Sequence, residues 1–423
     1  MFSNFIKKIK GREILTSRGI PTVEIELDTT FGKIISSCPS GASTVSEEAV
    51  VLVDNDKRYN GKSVENVIKR FLTVFEKYKN ELYKLNSCDI YGVDKILQKM
   101  DGTKNLSKLG ANTILPTSLS FCRLSAKMEN SSLYGYIAKI SNKKPKLPNP
   151  HFNVINGGVH SGNDLDIQEI MISFNRSSFS ENLECAVIFY QKLKEIIKSK
   201  YGGISINVGD EGGFAPPIQT LEDGLDLIIE TKNILNINDL DIVIDSAANS
   251  FYKNEKYCLN VRENKKSVRK ELTTDELIEY YKKIITNYKI IKIWEDPFAE
   301  KDFHGWKRFT KESGIIVLGD DLIVTNKEKV EMAIKEELCN AILVKPNQIG
   351  YVTGAIDAIN KARDANMLIM VSHRSAETMD SFISDFAVGT ASDFIKSGAP
   401  CRGERVEKYN QLLRIEEEMN ENK

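Results

Sequence analysis

The sequence predicts an α/β protein in which a small N-terminal α+β domain precedes a larger β/α barrel, and three observations predict it. The chain has 423 residues, too long for one ordinary core and suited to a small domain beside a large barrel. Its first ~140 residues read as paired strands and long helices. Beyond them, short apolar runs alternate with amphipathic stretches, the pattern of a parallel sheet that enough units close into a barrel.

Thr22–Leu27 (TVEIEL) alternates like a half-buried strand, and Gly32–Ser37 can pair with it across 28–31. Ser63–Tyr83 and Asp94–Ala126 read as helices, the second broken near Asp101–Gly102. Lys143–Pro150 (KKPKLPNP) carries three prolines, which lack an amide donor and bias their neighbours toward extended backbone. The domain boundary is therefore placed there, giving domains 1–142 and 143–423. The later apolar runs are Leu240–Ile244, Ile290–Trp294, Ile315–Leu318, Ala341–Val344, Met367–Val371 and Phe394–Ile395. Helical stretches such as Thr274–Ile285, Lys327–Glu337 and Tyr351–Ala365 separate them. Phe251–Lys270 reads as a charged loop.

Composition narrows the partners. Lys+Arg 58 against Asp+Glu 59 leaves a formal charge of -1, so nucleic acid is not an expected partner. No run approaches the ~18 apolar residues that span a bilayer. The opening MFSNFIKKIK lacks the apolar core of a secretory leader. Seven scattered cysteines without a CxxC pair point to a reduced, cytoplasmic protein in which they are small buried hydrophobes. Tyr59–Ser63 looks like the tail of a P-loop, but Asp56 stands where that motif needs glycine, so nucleotide binding is not expected. The basic cluster Lys7–Arg12 reads as a solvated terminus, His151 and His304 as satisfied structural histidines, and Met367 and Met370 as core.

Function is read at the strand ends. Asp245, Glu295, Asp320, Lys345, the group Ser372–His373–Arg374–Ser375, and Lys396 each follow an apolar run. The intervals from 245 through 295, 320, 345, 373 and 396 are 50, 25, 25, 28 and 23 residues. One strand–helix unit takes roughly 25–35 residues, so these side chains arrive at one mouth. Asp245, Glu295 and Asp320 form an all-oxygen trio that suits a hard cation such as Mg²⁺, and no HExxH or paired cysteines offer zinc a site. Lys345, Arg374 and Lys396 add cations, and carboxylates with metal facing cations make a site for an anionic substrate. Two glycine-flanked segments, NVINGGVHSGNDLDIQE with His160, Gln168 and Glu169, and NVGDEGGFAP with Asp210 and Glu211, let backbone approach a ligand closely.

Taken together, SRGIPTVEIEL (17–27), SGAST (40–44), LGANTIL (109–115), FNVINGGVHSGN (152–163), QEIMI (168–172), NVGDEGGFAP (207–216), EDPF (295–298), GDDL (319–322), KPNQIG (345–350), SHRSAET (372–378) and IKSGAPCRGERVEKYNQLLRIEE (395–417) closely resemble the enolase family, in order and over nearly the whole chain. The resemblance implies a capping domain before a β/α barrel with an atypical first hairpin. It implies reversible dehydration of 2-phosphoglycerate to phosphoenolpyruvate, in glycolysis and gluconeogenesis. On it, Asp245, Glu295 and Asp320 hold a first Mg²⁺, and Ser40, on a closing loop, meets a second that arrives with substrate. Lys345 matches the base and Glu211 the acid, with Glu169 beside it. Arg374 and Ser375 match phosphate contacts, Lys396 and Gln168 substrate contacts, and His160, Ser372 and His373 loop and pocket positions. A dimer, in some relatives an octamer, is implied, with Arg12 and Glu24 pairing across it with Glu404 and Arg402. The chemistry asks for a raised Glu211 and a lowered Lys345 pKa.

Several positions depart from the family pattern. Val45 replaces a loop glycine, Val51 and Val53 replace Glu and Arg, Thr16 and Ile20 alter the DSRGNP segment, Ala376 replaces glycine, and Trp294 replaces a small residue before Glu295. Val45, Trp294 and Ala376 motivate two alternatives: a paralogue acting on a phosphonate or another hydroxy acid, or a non-catalytic surface-binding protein on the same scaffold.

Overall fold

The computed structural model describes residues 1–41, 47–86 and 88–421. Val45 therefore lies outside the described residues. The N-terminal part begins with an antiparallel sheet of β1 (Ile6–Leu15), β2 (Pro21–Thr29) and β3 (Gly32–Ser37), in the order β1-β2-β3. The lysine-rich start is thus not a loose terminus. It is a strand whose Arg12 pairs with Glu24 and Glu26 on β2, because charged side chains on one face of an edge strand find cross-strand partners. Four helices follow: α1 (Glu65–Lys84), α2 (Ile90–Asp101), α3 (Ala111–Met128) and α4 (Leu133–Ser141). Gly102, with φ of 72°, ends α2 at the predicted break.

The C-terminal part is a closed barrel of eight strands: β4 (Asn149–Asn156), β5 (Glu169–Phe174), β6 (Leu240–Asp245), β10 (Ile291–Glu295), β11 (Ile316–Gly319), β12 (Ala341–Val344), β13 (Leu368–Ser372) and β14 (Phe394–Lys396), which pairs back onto β4. Helices α5 (Phe179–Tyr201), α6 (Leu221–Ile234), α7 (Thr274–Asn287), α8 (Phe303–Glu312), α9 (Lys327–Glu336), α10 (Pro346–Ile349), α11 (Val352–Asp364), α12 (Phe382–Gly389) and α13 (Gly403–Glu421) account for the intervening turns and the C-terminus. Ser178, Thr220, Thr273 and Asn326 cap α5, α6, α7 and α9, so the polar residue before each apolar periodicity sets its start. β5 runs antiparallel to both β4 and β6. The β4–β5 connection carries only a 3₁₀ turn, Gly158–His160, and a short link without a crossover helix joins strands antiparallel.

Residues 251–270 are not a loop: β7 (Tyr252–Lys253), β8 (Lys256–Glu263) and β9 (Lys266–Leu272) form a small antiparallel sheet. On β8, Tyr257, Leu259 and Val261 are buried while the residues between are not, an alternation hidden by the charges. The barrel interior is filled by Met171, Val243, Ile293, Leu318, Ala341, Leu343 and Met370. His151 is buried, edge-on to Phe394, and its Nδ1 has no hydrogen-bond partner, so it is not the satisfied structural histidine expected. His304 is exposed beside Asp275. Cys38, Cys122 and Cys339 are buried free thiols. No helix among the described residues is long and apolar enough to cross a membrane.

Candidate active site

Parity along the strands builds the site. Glu169 opens β5, and Asp245 and Glu295 close β6 and β10; the register pairs Glu169 with Asp245 and Asp245 with Glu295. Lys396, closing β14, reaches into them. Its Nζ lies 2.8 and 2.7 Å from the two oxygens of Glu295, 3.3 Å from Asp245 and 3.4 Å from Glu169. Asp320, after β11, is paired with Lys345, after β12, and accepts from Gln348 Nε2 at 3.0 Å. Gln168 Nε2 donates to Asp245 Oδ2 at 3.2 Å.

Beside this ring stands a second group. Glu211 accepts from Asn153 Nδ2 at 3.0 Å and lies 3.5 Å from His160 Nδ1 and 3.4 Å from His373 Nε2. One oxygen each of Glu169 and Glu211 and one His160 nitrogen lie within 4.8 Å of one another. Arg405 is fully buried and contacts His373 Nδ1 at 2.6 Å. A guanidinium can only donate, so Nδ1 accepts and the neutral ring carries its proton on Nε2, toward Glu211. Burial pushes His373 down to about 4, in keeping with that neutral form.

The third group is cationic. Arg374 donates from Nη1 to Glu48 Oε2 at 3.1 Å and to Asn347 Oδ1 at 3.0 Å. Ser375 Oγ is buried without a partner, and Ser372 Oγ donates to the carbonyl of His373 at 2.9 Å. Ser40 is held by backbone hydrogen bonds to Ala376 at 2.9 and 3.0 Å; Gly41, the next residue, lines the cleft.

The structure thus gathers His160, Gln168, Glu169, Glu211, Asp245, Asp320, Lys345, Ser372, His373, Arg374, Ser375 and Lys396 around one polar cleft. Glu295 lies just beneath it, fully buried against Lys396. Ser40 flanks the cleft through its backbone. Trp294 does not belong there. As the neighbour of an inward residue on a strand it points outward, where it packs tilted against Tyr281 and edge-on to Phe309 and donates from Nε1 to Ser246 Oγ at 2.7 Å. Sequence reasoning missed Glu48, Asn153, Asn347, Gln348 and Arg405, which support the reactive groups from other elements. For Asn153, Asn347, Gln348 and Arg405 only their positions inside already matching segments offered a signal, and Glu48, outside those segments, offered none.

The electrostatics show a surplus of negative charge. Glu169, Asp245, Glu295 and Asp320 face Lys345 and Lys396, four carboxyls against two ammonium groups. Burial and the charge of Asp245 push Glu295 well above the usual carboxylate range; burial and Asp320 push Asp321 up to about 7. Burial and Glu211 raise Glu169. Glu211, which burial alone would raise, is drawn well below the usual carboxylate range by His373 and His160, with the Arg405 guanidinium adding to the pull. Glu169 is thus raised and Glu211 lowered, so a proton taken up by the pair favours Glu169. That differs from the expected raised Glu211. Lys345 also departs from expectation: burial pulls it down, yet the contact with Asp320 pushes it further up. All-oxygen donors, buried and short of positive charge, fit a hard divalent cation.

Comparison with family models places this charged mouth, on a mixed β/α barrel under an α+β cap, in a lyase-type enzyme of the enolase superfamily. The enolase N-terminal domain matches residues 6–137 and the enolase C-terminal TIM barrel domain matches residues 144–423. The chain belongs to the enolase family.

Proposed function

We propose that the protein is a Mg²⁺-dependent enolase that reversibly dehydrates 2-phosphoglycerate to phosphoenolpyruvate. The observation that carries the reading is the placement of acid and base. Lys345 follows β12 and Glu169 opens β5, four strands apart in the eight-stranded ring and so on opposite sides of the mouth. A substrate between them loses its C2 proton to Lys345 Nζ on one face. It takes a proton from the Glu169–Glu211 pair at the departing hydroxyl on the other. Hydroxide is a poor leaving group, and a carboxyl kept protonated by burial supplies the proton at neutral pH.

Arg374 and the unpartnered Ser375 Oγ suit the phosphoryl group, while Gln168, His160, Ser372 and Lys396 line the remainder. His373, fixed as the Nε2 tautomer by Arg405, directs a donor at Glu211. Asp245, Glu295 and Asp320 would hold the first Mg²⁺ and Ser40 would meet the second; bound there, such ions would supply positive charge against the doubly negative carboxylate. The phosphonate alternative loses part of its support, since Trp294 faces away from the cleft.

A cytoplasmic homodimer belongs to the same proposal. Arg12 and Arg402 are engaged by Glu24 and Glu404 within one protomer, and those pairs are the groups to re-form across an interface; sedimentation checks the assembly. The decisive assay follows the ultraviolet absorbance of phosphoenolpyruvate from 2-phosphoglycerate and Mg²⁺, with and without chelator. Absence of a chelator-sensitive signal rejects the proposal.

A further inference from the structure

Arg374 is the cation expected to meet the phosphoryl group, and its surroundings are not those of a free cation. Its guanidinium is buried, and both terminal nitrogens face Glu48: Nη1 to Oε2 at 3.1 Å, and Nη2 to Oε2 and Oε1 at 3.1 and 3.4 Å. Glu48 is equally buried, so little solvent screens the pair. The second acceptor, Asn347 Oδ1, fixes the plane of the fork at 3.0 Å. Glu48 Oε1 also takes a hydrogen bond from Gln348 Nε2 at 3.3 Å, and the same nitrogen lies 3.0 Å from Asp320 Oδ1. One amide therefore links Glu48 to the acidic ring. Beside Arg374, Ser375 Oγ is buried with no partner, a donor awaiting an acceptor.

Two consequences follow. The carboxylate aims the guanidinium fork, which would otherwise rotate about its long stem. It also sets a negative charge against any dianion that approaches Arg374, and in a buried setting like charges repel strongly. These effects act in opposite directions on anion affinity.

We propose that Glu48 is a positioning residue that aims Arg374 while holding down its affinity for phosphate, so that the phosphoryl end is bound firmly enough to orient and weakly enough to release. The inference rests on the reading of Arg374 as the phosphoryl contact. It predicts opposite outcomes for two substitutions. Glu48→Gln keeps an acceptor oxygen and the side-chain shape but removes the charge. Inorganic phosphate then binds roughly tenfold more tightly, the low end of coupling between close, desolvated charges, and KM for 2-phosphoglycerate falls while kcat does not rise. Glu48→Ala releases the fork, and phosphate binds more weakly than to the parent.

The experiment is calorimetric titration of the full-length protein with inorganic phosphate in the presence of Mg²⁺, beside steady-state kinetics, with circular dichroism to confirm folding of each variant. A merely structural role weakens binding in both variants, and that result overturns the proposal; so does unchanged phosphate affinity in Glu48→Gln. Should Glu48→Gln fail to fold, Glu48→Asp carries the test: it withdraws the charge by one methylene, and tightening smaller than that for Glu48→Gln is expected, whereas weakening overturns the idea. Loss of the parent's turnover of 2-phosphoglycerate would strike the proposed function alone, because phosphate titration reads Glu48 without any reaction.

Discussion

At one end of the barrel stand Glu169, Asp245, Glu295, Lys345 and Lys396; two residues along the same strands, inside the barrel, stand Met171, Val243, Ile293, Leu343 and Phe394. Both sets point inward, because side chains two apart on a strand share a face. The inner layer needs no partners, and its close packing keeps water out. The mouth places carboxyls and ammonium groups in contact, out of water, where an unmatched charge is expensive. The apolar layer is the floor that makes the mouth dry, and dryness gives each charge above it its reach. The cap closes the other side through Ser40, Glu48 and Ala49, whose amide bonds the Gln348 carbonyl at 2.8 Å.

The largest effect should come from breaking the mouth. Lys345→Ala is expected to lower kcat by about 10³-fold, within the range for loss of a positioned proton-transfer group, while the circular dichroism spectrum stays that of the parent. Turnover near the parent's would remove Lys345 from the role of base.

Next comes a test that separates the two faces of one strand. Trp294 and Glu295 are adjacent, and one faces the helices while the other faces the mouth. Trp294→Ala should destabilise the fold by about 3–5 kcal/mol, the usual cost of deleting a buried large aromatic, with kcat retained in the surviving folded protein. Glu295→Gln should do the reverse, losing activity while keeping most of the stability. Equal loss of activity from both changes, at temperatures where both variants are folded, would show that the strand's two faces are not independent.

Much of this layout was legible because an apolar run that ends in polar or charged residues is a strong signal, and six such runs recur, the last five of them at intervals of 23 to 28 residues after a first gap of 50. The site residues drawn from the strand ends converge for that reason. Face parity was legible too, but an unfamiliar residue beside Glu295 drew attention toward the pocket instead of away from it. The strands β1 and β8–β9 were obscured, since charged residues dominate their exposed positions and mask the alternation. Glu48, Gln348 and Arg405 could not be read as partners at all. Arg405 lies 32 residues from His373, and Glu48 lies 326 from Arg374, distances only the closed barrel and its cap bring to contact.

A polar group, His151, packs against the inner layer at Phe394, and it sharpens the comparison through pH. Burial, with a smaller push from Lys396, brings His151 down to about 3. Its folded value lies below the ordinary ~6.5. Between those values the unfolded chain holds a proton that the folded chain refuses, so stability is full above about pH 6.5 and lost as pH falls. At pH 4 this one group should withdraw on the order of 3 kcal/mol. Chemical denaturation of the parent and of His151→Phe, at pH 7 and pH 4, isolates it. The variant should lose less stability on acidification, and parallel losses would mean that His151 takes up its proton in the folded state.

The smallest effect should come from a pair that looks identical on distance alone. Lys104 Nζ and Glu328 Oε2 are 2.7 Å apart, as are Lys396 Nζ and Glu295 Oε2. The first pair has side chains 80% and 71% exposed, the second 3% and 0%. Water and salt screen the exposed charges, and holding two long side chains in one geometry offsets what attraction remains. Lys104→Gln should therefore leave the unfolding midpoint and the kinetics where they are. Lys396→Met strands three carboxyls without their ammonium partner, and it should lower the midpoint and abolish turnover together. A midpoint drop in Lys104→Gln comparable to that in Lys396→Met would mean that separation, not burial, governs these pairs, and the contrast between mouth and surface would fail.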